Sequence, residues 1–363
     1  MRALQEYAGL LKESGPWCTI HVDVSTGTVD TLEATDVLGE NVGRMLAAAG
    51  ADRSCRTAAE RLDWAAKGLP APISRFVLIR GGEVVVNEVL PGAPSTPLVD
   101  VGPIPNLLPL AEHRGTDLAY LEVEAERADA EIRRRRASAH APLAEQEVHG
   151  DTENLKKVPS GGWSQGRYQR RTEEVWRRNG AEVAAEVDRL VEAGGVDLVI
   201  LSGDERALEK IRESLGERAA KLVRVVPMNS AAPGADRERY EEQVGAIVDE
   251  VAATRQARLL DRMAEGRGAL AAHGWGAVVH ALQGARVDTL LLAPSAVVQR
   301  RVLALDDAPW VASTEAEAVG AGVLGHADPS ATLLRAAVLT DADTVLVASD
   351  VLDGGEVASL LRW

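Results

Sequence analysis

VDLVILSGDERALEKIRESL, residues 196–215, is an apolar run that ends in glycine and passes straight into a helical pattern. VDLVILSG reads as a strand, Asp204 as an N-cap followed by early acidic residues, and ERALEKIRESL as a helix. KLVRVVPM, residues 221–228, supplies the next strand. Strands alternating with helices predict an α/β layer. The same cadence, a Val-Asp or Ala-Asp pair before an apolar strand, returns in VDTLLLAP and ADTVLVAS. This is shared α/β grammar and not a sequence repeat.

Working outward, TDLAYLEVE (116–124) predicts a strand, and the run through AEIRRRR (130–136) predicts another. Residues 137–166 are polar and poor in periodicity, an unusual stretch inside a domain and often a functional one. A helix is expected from Tyr168 to Ala193, with Val175, Val183, Val187 and Leu190 on its buried face. A long amphipathic helix follows, marked by Tyr240, Val244, Ile247 and Val251 and extending toward Met263. It reads as a connector into a third block, in which helices and strands again alternate.

The first block opens with a short helix and then WCTIHVDVS, where apolar residues at 18, 20, 22 and 24 give the period of a half-buried strand. Cys18 falls on its apolar face as a small core residue. Helical patterns follow in NVGRMLAAAG and in TAAERLDWAAKG, the second stopped by Gly68 and Pro70. RFVLIRGGEVVVNEVL is a hairpin about Gly81-Gly82. PGAPSTPLVDVGPIP, with five prolines, reads as a linker or an extended crossing. At 363 residues the chain exceeds one ordinary core. The expectation is an α/β protein of three domains: an N-terminal α+β domain (1–110), an α/β middle domain with a long basic loop (111–250), and an α/β C-terminal domain (251–363).

The N-terminus is charged and lacks an apolar h-region, so no signal peptide is expected. No apolar run approaches the length of a membrane span. Two cysteines make no disulfide framework, and a reducing cytoplasm is the simple reading. His140 and His149 are isolated and have no ligand spacing, so no metal site is expected. His273 and His280 read as capping or core residues. No Walker A or dinucleotide fingerprint is present, so no nucleotide cofactor is expected.

Net charge is −15, which argues against coating nucleic acid non-specifically. The window from Arg133 to Arg178 nevertheless carries +5, leaving −20 on the rest. Within it lies KKVPSGGWSQGRYQRRTEE, residues 156–174. Gly161-Gly162 admits backbone angles closed to other residues. Gln165 offers a neutral donor and acceptor in one side chain. No acid, histidine or cysteine lies within 158–166, so this loop supplies no strong general base and no ordinary nucleophile. It suits positioning a water, or aiming amide N–H groups at an oxyanion. Trp163 and Tyr168 are stacking candidates, and Lys156, Lys157, Arg167, Arg170 and Arg171 are candidate phosphate contacts. The competing reading is a surface loop before a solvated helix face, with Glu173 and Glu174 pairing the arginines. If Arg133–Arg136 lie on a strand, alternation turns only two of them to one face, with edge protection as the use of the others.

GGWSQGRYQRRTEE, followed by a helix and VDLVILSG, resembles the middle domain of bacterial relatives of archaeo-eukaryotic release factor 1 and Pelota. GPWCTIHVDVS resembles the first domain of the bacterial family, and GWGAVVHALQGARVDTLLLAP with the ending LLRW resembles the Pelota-type third domain. The branch is similar to actinobacterial proteins related to the hibernation factor Balon and to a group described as peptidyl-tRNA hydrolases. The resemblance implies an RNase H-like middle domain and a monomeric, cytoplasmic, ribosome-binding translation factor that enters the A site as a tRNA mimic. Its first domain would face the decoding region and its loop the peptidyl-transferase centre. Its third domain would contact the stalk base or a translational GTPase.

Release factors of this class carry Gly-Gly-Gln at the loop tip, whereas here Trp163-Ser164 separates Gly161-Gly162 from Gln165. Two functions stay open. One is a binder that occludes or protects the catalytic centre in ribosome hibernation. The other is an enzyme in which Gln165, with Gly161 and Gly162, directs water at the peptidyl-tRNA ester to rescue stalled ribosomes. A free RNA-binding module is a third. Stop-codon reading is not expected, because the decoding motifs of the eukaryotic factor are missing from the first domain.

Overall fold

The alternation expected from residue 17 is realised in β1 (Trp17–Asp23), whose buried side chains serve two separate cores. The computed structural model describes residues 4–25, 37–66, 71–94, 96–115, 118–126, 129–137, 144–149, 165–228, 235–265, 270–352 and 355–363. A short helix, α1 (Ala8–Leu11), precedes β1, and α2 (Leu38–Ala48) and α3 (Arg53–Arg61) follow it. α3 ends earlier than TAAERLDWAAKG suggests. Leu62 leaves the helix at φ −69° and ψ 133°, which lets Trp64 bury its ring and donate Nε1–H to the Ala59 carbonyl at 2.9 Å. Burial of an indole outweighs one more helical turn. β2 (Ile73–Arg80) and β3 (Glu83–Pro91) form the expected hairpin about Gly81-Gly82. The proline-rich run contains β4 (Leu98–Gly102), antiparallel to β1, and the sheet order is β3-β2-β1-β4. α4 (Leu108–Gly115) follows.

The next sheet has five strands in the order β7-β6-β5-β8-β9. β5 (Ala119–Ala125) pairs antiparallel with β6 (Asp129–Arg136), which pairs antiparallel with β7 (Ala144–His149). β7 lies in the stretch expected to be structureless. AEQEVH has no apolar face to announce it and is recruited by backbone pairing at the sheet edge. β6 is consequently internal, so edge protection does not explain its arginines. After α5 (Gln165–Glu192), β8 (Leu198–Gly203) runs parallel to β5, as VDLVILSG predicts. α6 (Glu205–Ser214) begins at Asp204, whose carboxylate accepts from the Arg206 and Ala207 amides. α7 (Glu217–Leu222) shortens the expected last strand to β9 (Val223–Val225). The long amphipathic helix is α8 (Arg237–Glu265).

The C-terminal part contains β10 (Ala271–His273), α9 (Trp275–Gln283), β11 (Val287–Leu292), α10 (Pro294–Val297), β12 (Leu303–Leu305) and β13 (Val311–Ala312). β14 (Val323–His326), α11 (Pro329–Leu339), β15 (Asp343–Leu346) and β16 (Val357–Leu361) complete it. The strands form two sheets, β10-β16-β11-β15 and β13-β12-β14. His273 and His280, expected as capping or core residues, are exposed. No described helix is long and apolar enough to cross a membrane.

The chain divides into two compact units, Met1–Thr116 with Arg258–Trp363, and Asp117–Ala257. In the first, the two ends of the chain share one core. Leu4, Leu11, Trp17 and Phe76 pack in a cluster with Val278, Leu282, Leu333 and Leu334. Across β1, Cys18, Ile20, Val42, Leu46 and Cys55 fill a second core. Arg335 of α11 is fully buried. Its Nε donates to the Leu11 carbonyl and its Nη1 to the Leu305 carbonyl, each at 2.7 Å, and its guanidinium lies 5.1 Å from the Trp310 ring centroid. Burial pushes its pKa down to about 10. Removing such a group leaves a cavity and two unsatisfied carbonyls, and Arg335→Ala is expected to cost about 3–5 kcal/mol. Urea unfolding of the variant beside wild type measures that loss.

His21 of β1 is buried, with Nε2 2.9 Å from the Ser74 hydroxyl and its ring 5.9 Å from that of His113 on α4. Burial, with His113 adding, pushes the His21 pKa from 6.5 down to about 4. Between those values the unfolded chain binds more protons than the folded one. The His21 contribution is therefore complete above pH 6.5 and declines as pH falls toward 4. Urea midpoints taken across that range are expected to fall with pH in wild type and to fall less in His21→Gln.

Candidate nucleic-acid interface

The basic window divides into arginines that serve the fold and a segment that leads into α5. On β5, Leu121, Val123 and Ala125 face the core under α5, with Val183, Val187 and Leu201. Tyr120 packs with Leu198, Ile200, Tyr240 and Val244 in another cluster, on the side where alternation also puts Glu122 and Glu124. Both carboxylates are buried, at 4% and 8% exposure. Arg135 reaches Glu122 with Nε–Oε2 2.5 Å, and Arg133 reaches Glu124 with Nη1–Oε2 3.3 Å while also pairing with Glu131. The Tyr240 hydroxyl donates to Glu122 Oε1 at 2.8 Å and lies 3.3 Å from the Ser202 hydroxyl. Burial and the Glu122 charge push the Tyr240 phenol well above its ordinary value, so it stays a donor.

Arg134, one residue out of phase, donates Nη2–H to the Gly195 carbonyl at 3.1 Å, just beyond the end of α5. A cation there also meets the negative end of the helix dipole. Arg133, Arg134 and Arg135 therefore lock strands and a helix end inside the protein. The signal in the sequence was two acids at alternate positions of an otherwise apolar strand. Tyr240→Phe removes one donor from a buried carboxylate and is expected to lower stability by about 1.5–3 kcal/mol. Denaturant unfolding followed by circular dichroism checks this.

α5 is held on the opposite face of the sheet. Val175, Val183, Val187 and Val191 are buried along it. Gly180 lets it approach α6, since a Cβ there would lie 2.8 Å from Lys210 Cβ and 3.0 Å from the Lys210 carbonyl carbon. The helix begins at Gln165, three residues before the expected Tyr168. Gln165, Arg167, Tyr168, Arg170 and Arg171 thus all belong to its first two turns. Of residues 165–172 the backbone alone is described. Positions 167, 170 and 171 fall on one side of the helix, opposite Val183 and Val187. Glu174, expected as a partner for these arginines, is paired with Arg177 at Nη2–Oε1 2.6 Å. Lys156, Lys157, Gly161, Gly162 and Trp163 lie outside the described residues. Among the described residues no cluster of three or more His, Cys, Asp or Glu side chains could hold a metal ion.

Residues 119–269 match the model of Bacterial archaeo-eukaryotic release factor family 2. An uncharacterized protein of Mycobacterium tuberculosis H37Rv, Rv2629, is 25% identical over 290 residues, covering 78% of this chain and 76% of that one. The crystal structure of archaeal translation termination factor aRF1 aligns over 99% of this chain and 97% of that chain, at 17% identity and a TM-score of 0.25. Archaeoglobus fulgidus Pelota aligns over 81% and 80%, at 19% identity and 0.32. A ribosome-bound archaeal Pelota with ABCE1 aligns over 100% and 94%, at 14% identity and 0.40.

Proposed function

We propose that this relative of the archaeo-eukaryotic release factors is a cytoplasmic translation factor that binds the ribosome. It occupies the A site in place of a tRNA and directs segment 156–171 toward the peptidyl-transferase centre, where it occludes or protects that centre in hibernating or stalled ribosomes. One observation carries the choice of a binder over an enzyme: α5 starts at Gln165. The glutamine is the first residue of a 28-residue helix and lies three residues beyond Gly162 in sequence. A water-positioning amide has to meet the ester within hydrogen-bond reach. A helical backbone takes away the freedom that Gly161-Gly162 would otherwise lend it.

Charge supports the same reading. Arg167, Arg170 and Arg171 share a helix side away from the core, in a chain that is otherwise strongly acidic, as suits contact with a polyanion at one place. The nearby acids of β5 are held by Arg133, Arg135 and Tyr240, so the fold offers no free carboxylate there as a base.

The test is peptidyl-tRNA hydrolysis on purified stalled ribosomes, with wild type beside Gln165→Ala, and co-sedimentation measured in the same samples. Both proteins are expected to sediment with ribosomes, and neither to release peptide above background. Release by wild type that disappears in Gln165→Ala would replace the binder with a peptidyl-tRNA hydrolase. Loss of sedimentation for wild type would remove both.

A further inference from the structure

α3 and the turn between β2 and β3 enclose an open groove of about 760 Å³ in the first unit, lined by Arg53, Ser54, Thr57, Arg61, Gly81 and Val84 among others. Among the described residues, Arg53 and Arg61 are the charged ones that line it, and both are exposed. Among the described residues, neither guanidinium has an ion-pair or hydrogen-bond partner. Asp52, next to Arg53, is occupied: its carboxylate caps α3, accepting from the Cys55 amide and the Ser54 hydroxyl, each at 2.8 Å. Arg80, at the end of β2, is already paired with Glu13. In a chain with 55 acids and a net charge of −15, these two exposed arginines line one concavity.

The geometry favours an extended anion over a single ion. Arg53, Thr57 and Arg61 recur every four residues on one helix face, and the arginines stand about 12 Å apart along the axis. Successive charges on a strand match that spacing better than one tetrahedral ion. Gly82, at φ +84°, seats the turn against α3, since a Cβ there would lie 3.0 Å from Ser54 Cβ. Gly81, at φ +58°, has nothing within 4 Å of where its Cβ would be and leaves the turn open to an approaching backbone.

We propose that this groove binds the phosphodiester backbone of an RNA strand. Arg53 and Arg61 pair separate phosphates, and the Thr57 hydroxyl donates between them. The site lies outside segment 156–171 and stands independently of the reading of that segment.

Fluorescence anisotropy with a 20-nucleotide single-stranded RNA, from about 50 to 200 mM KCl, tests it on wild type, R53Q/R61Q and R53K/R61K. Losing two phosphate contacts is expected to make the slope of log K against log salt shallower by about 1.4 in R53Q/R61Q. R53K/R61K is expected to keep the wild-type slope. Both side chains are exposed, so circular dichroism is expected to match wild type in each variant. An unchanged slope in R53Q/R61Q overturns the proposal. So does a loss of binding to anionic phospholipid vesicles in that variant while RNA binding stays the same. If wild type fails to sediment with ribosomes but the slope difference is present, the proposed function falls and the groove stands.

Discussion

Glu122 sets the terms for the unit that spans residues 117–257. Its carboxylate is 4% exposed in the middle of a five-stranded sheet, and an ionised group taken out of water there is tolerable only with its partners in place. Those partners come from separate elements: Arg135 from β6 and Tyr240 from α8, with Ser202 of β8 beside the phenol. Meeting that demand fixes the β5–β6 register, because a slip of one residue would send Glu122 and Glu124 into the apolar core under α5. On the opposite face β5 carries Leu121, Val123 and Ala125, and that face holds α5.

The first unit solves a similar problem with the opposite sign. Arg335 is buried, with its Nε and Nη1 donating to the backbone carbonyls of Leu11 and Leu305. A charge held this way ties distant parts of the chain together, because no local segment can supply both acceptors. The shared core of Leu4 and Leu11 with Leu333 and Leu334 supplies the apolar burial around it.

Positive charge is therefore used in two ways. Arg133, Arg134, Arg135 and Arg335 are consumed by the fold, whereas Arg53 and Arg61 have no partner among the described residues. An acidic protein that sets arginines along one groove is suited to meeting a polyanion locally, without general affinity for it. Under the proposed function, recognition rests on those places, and segment 156–171 needs only shape and charge to occlude a site.

Much of this was legible from residue order. The strand at 198–203, the Asp204 cap, the hairpin at Gly81-Gly82 and the buried stripe of α5 are local patterns, set by side-chain period and by backbone freedom within a few residues. The family likeness rests on such local stretches too. β7 was not legible, because an edge strand of polar residues exists only where β6 offers it hydrogen bonds. The early end of α3 was not legible either, because Trp64 leaves the helix for a core built by β1 and β2. Most of all, four consecutive arginines look like one basic patch in sequence. Which of them is a surface charge depends on carboxylates and carbonyls up to some sixty residues away, and only the folded chain brings those into reach.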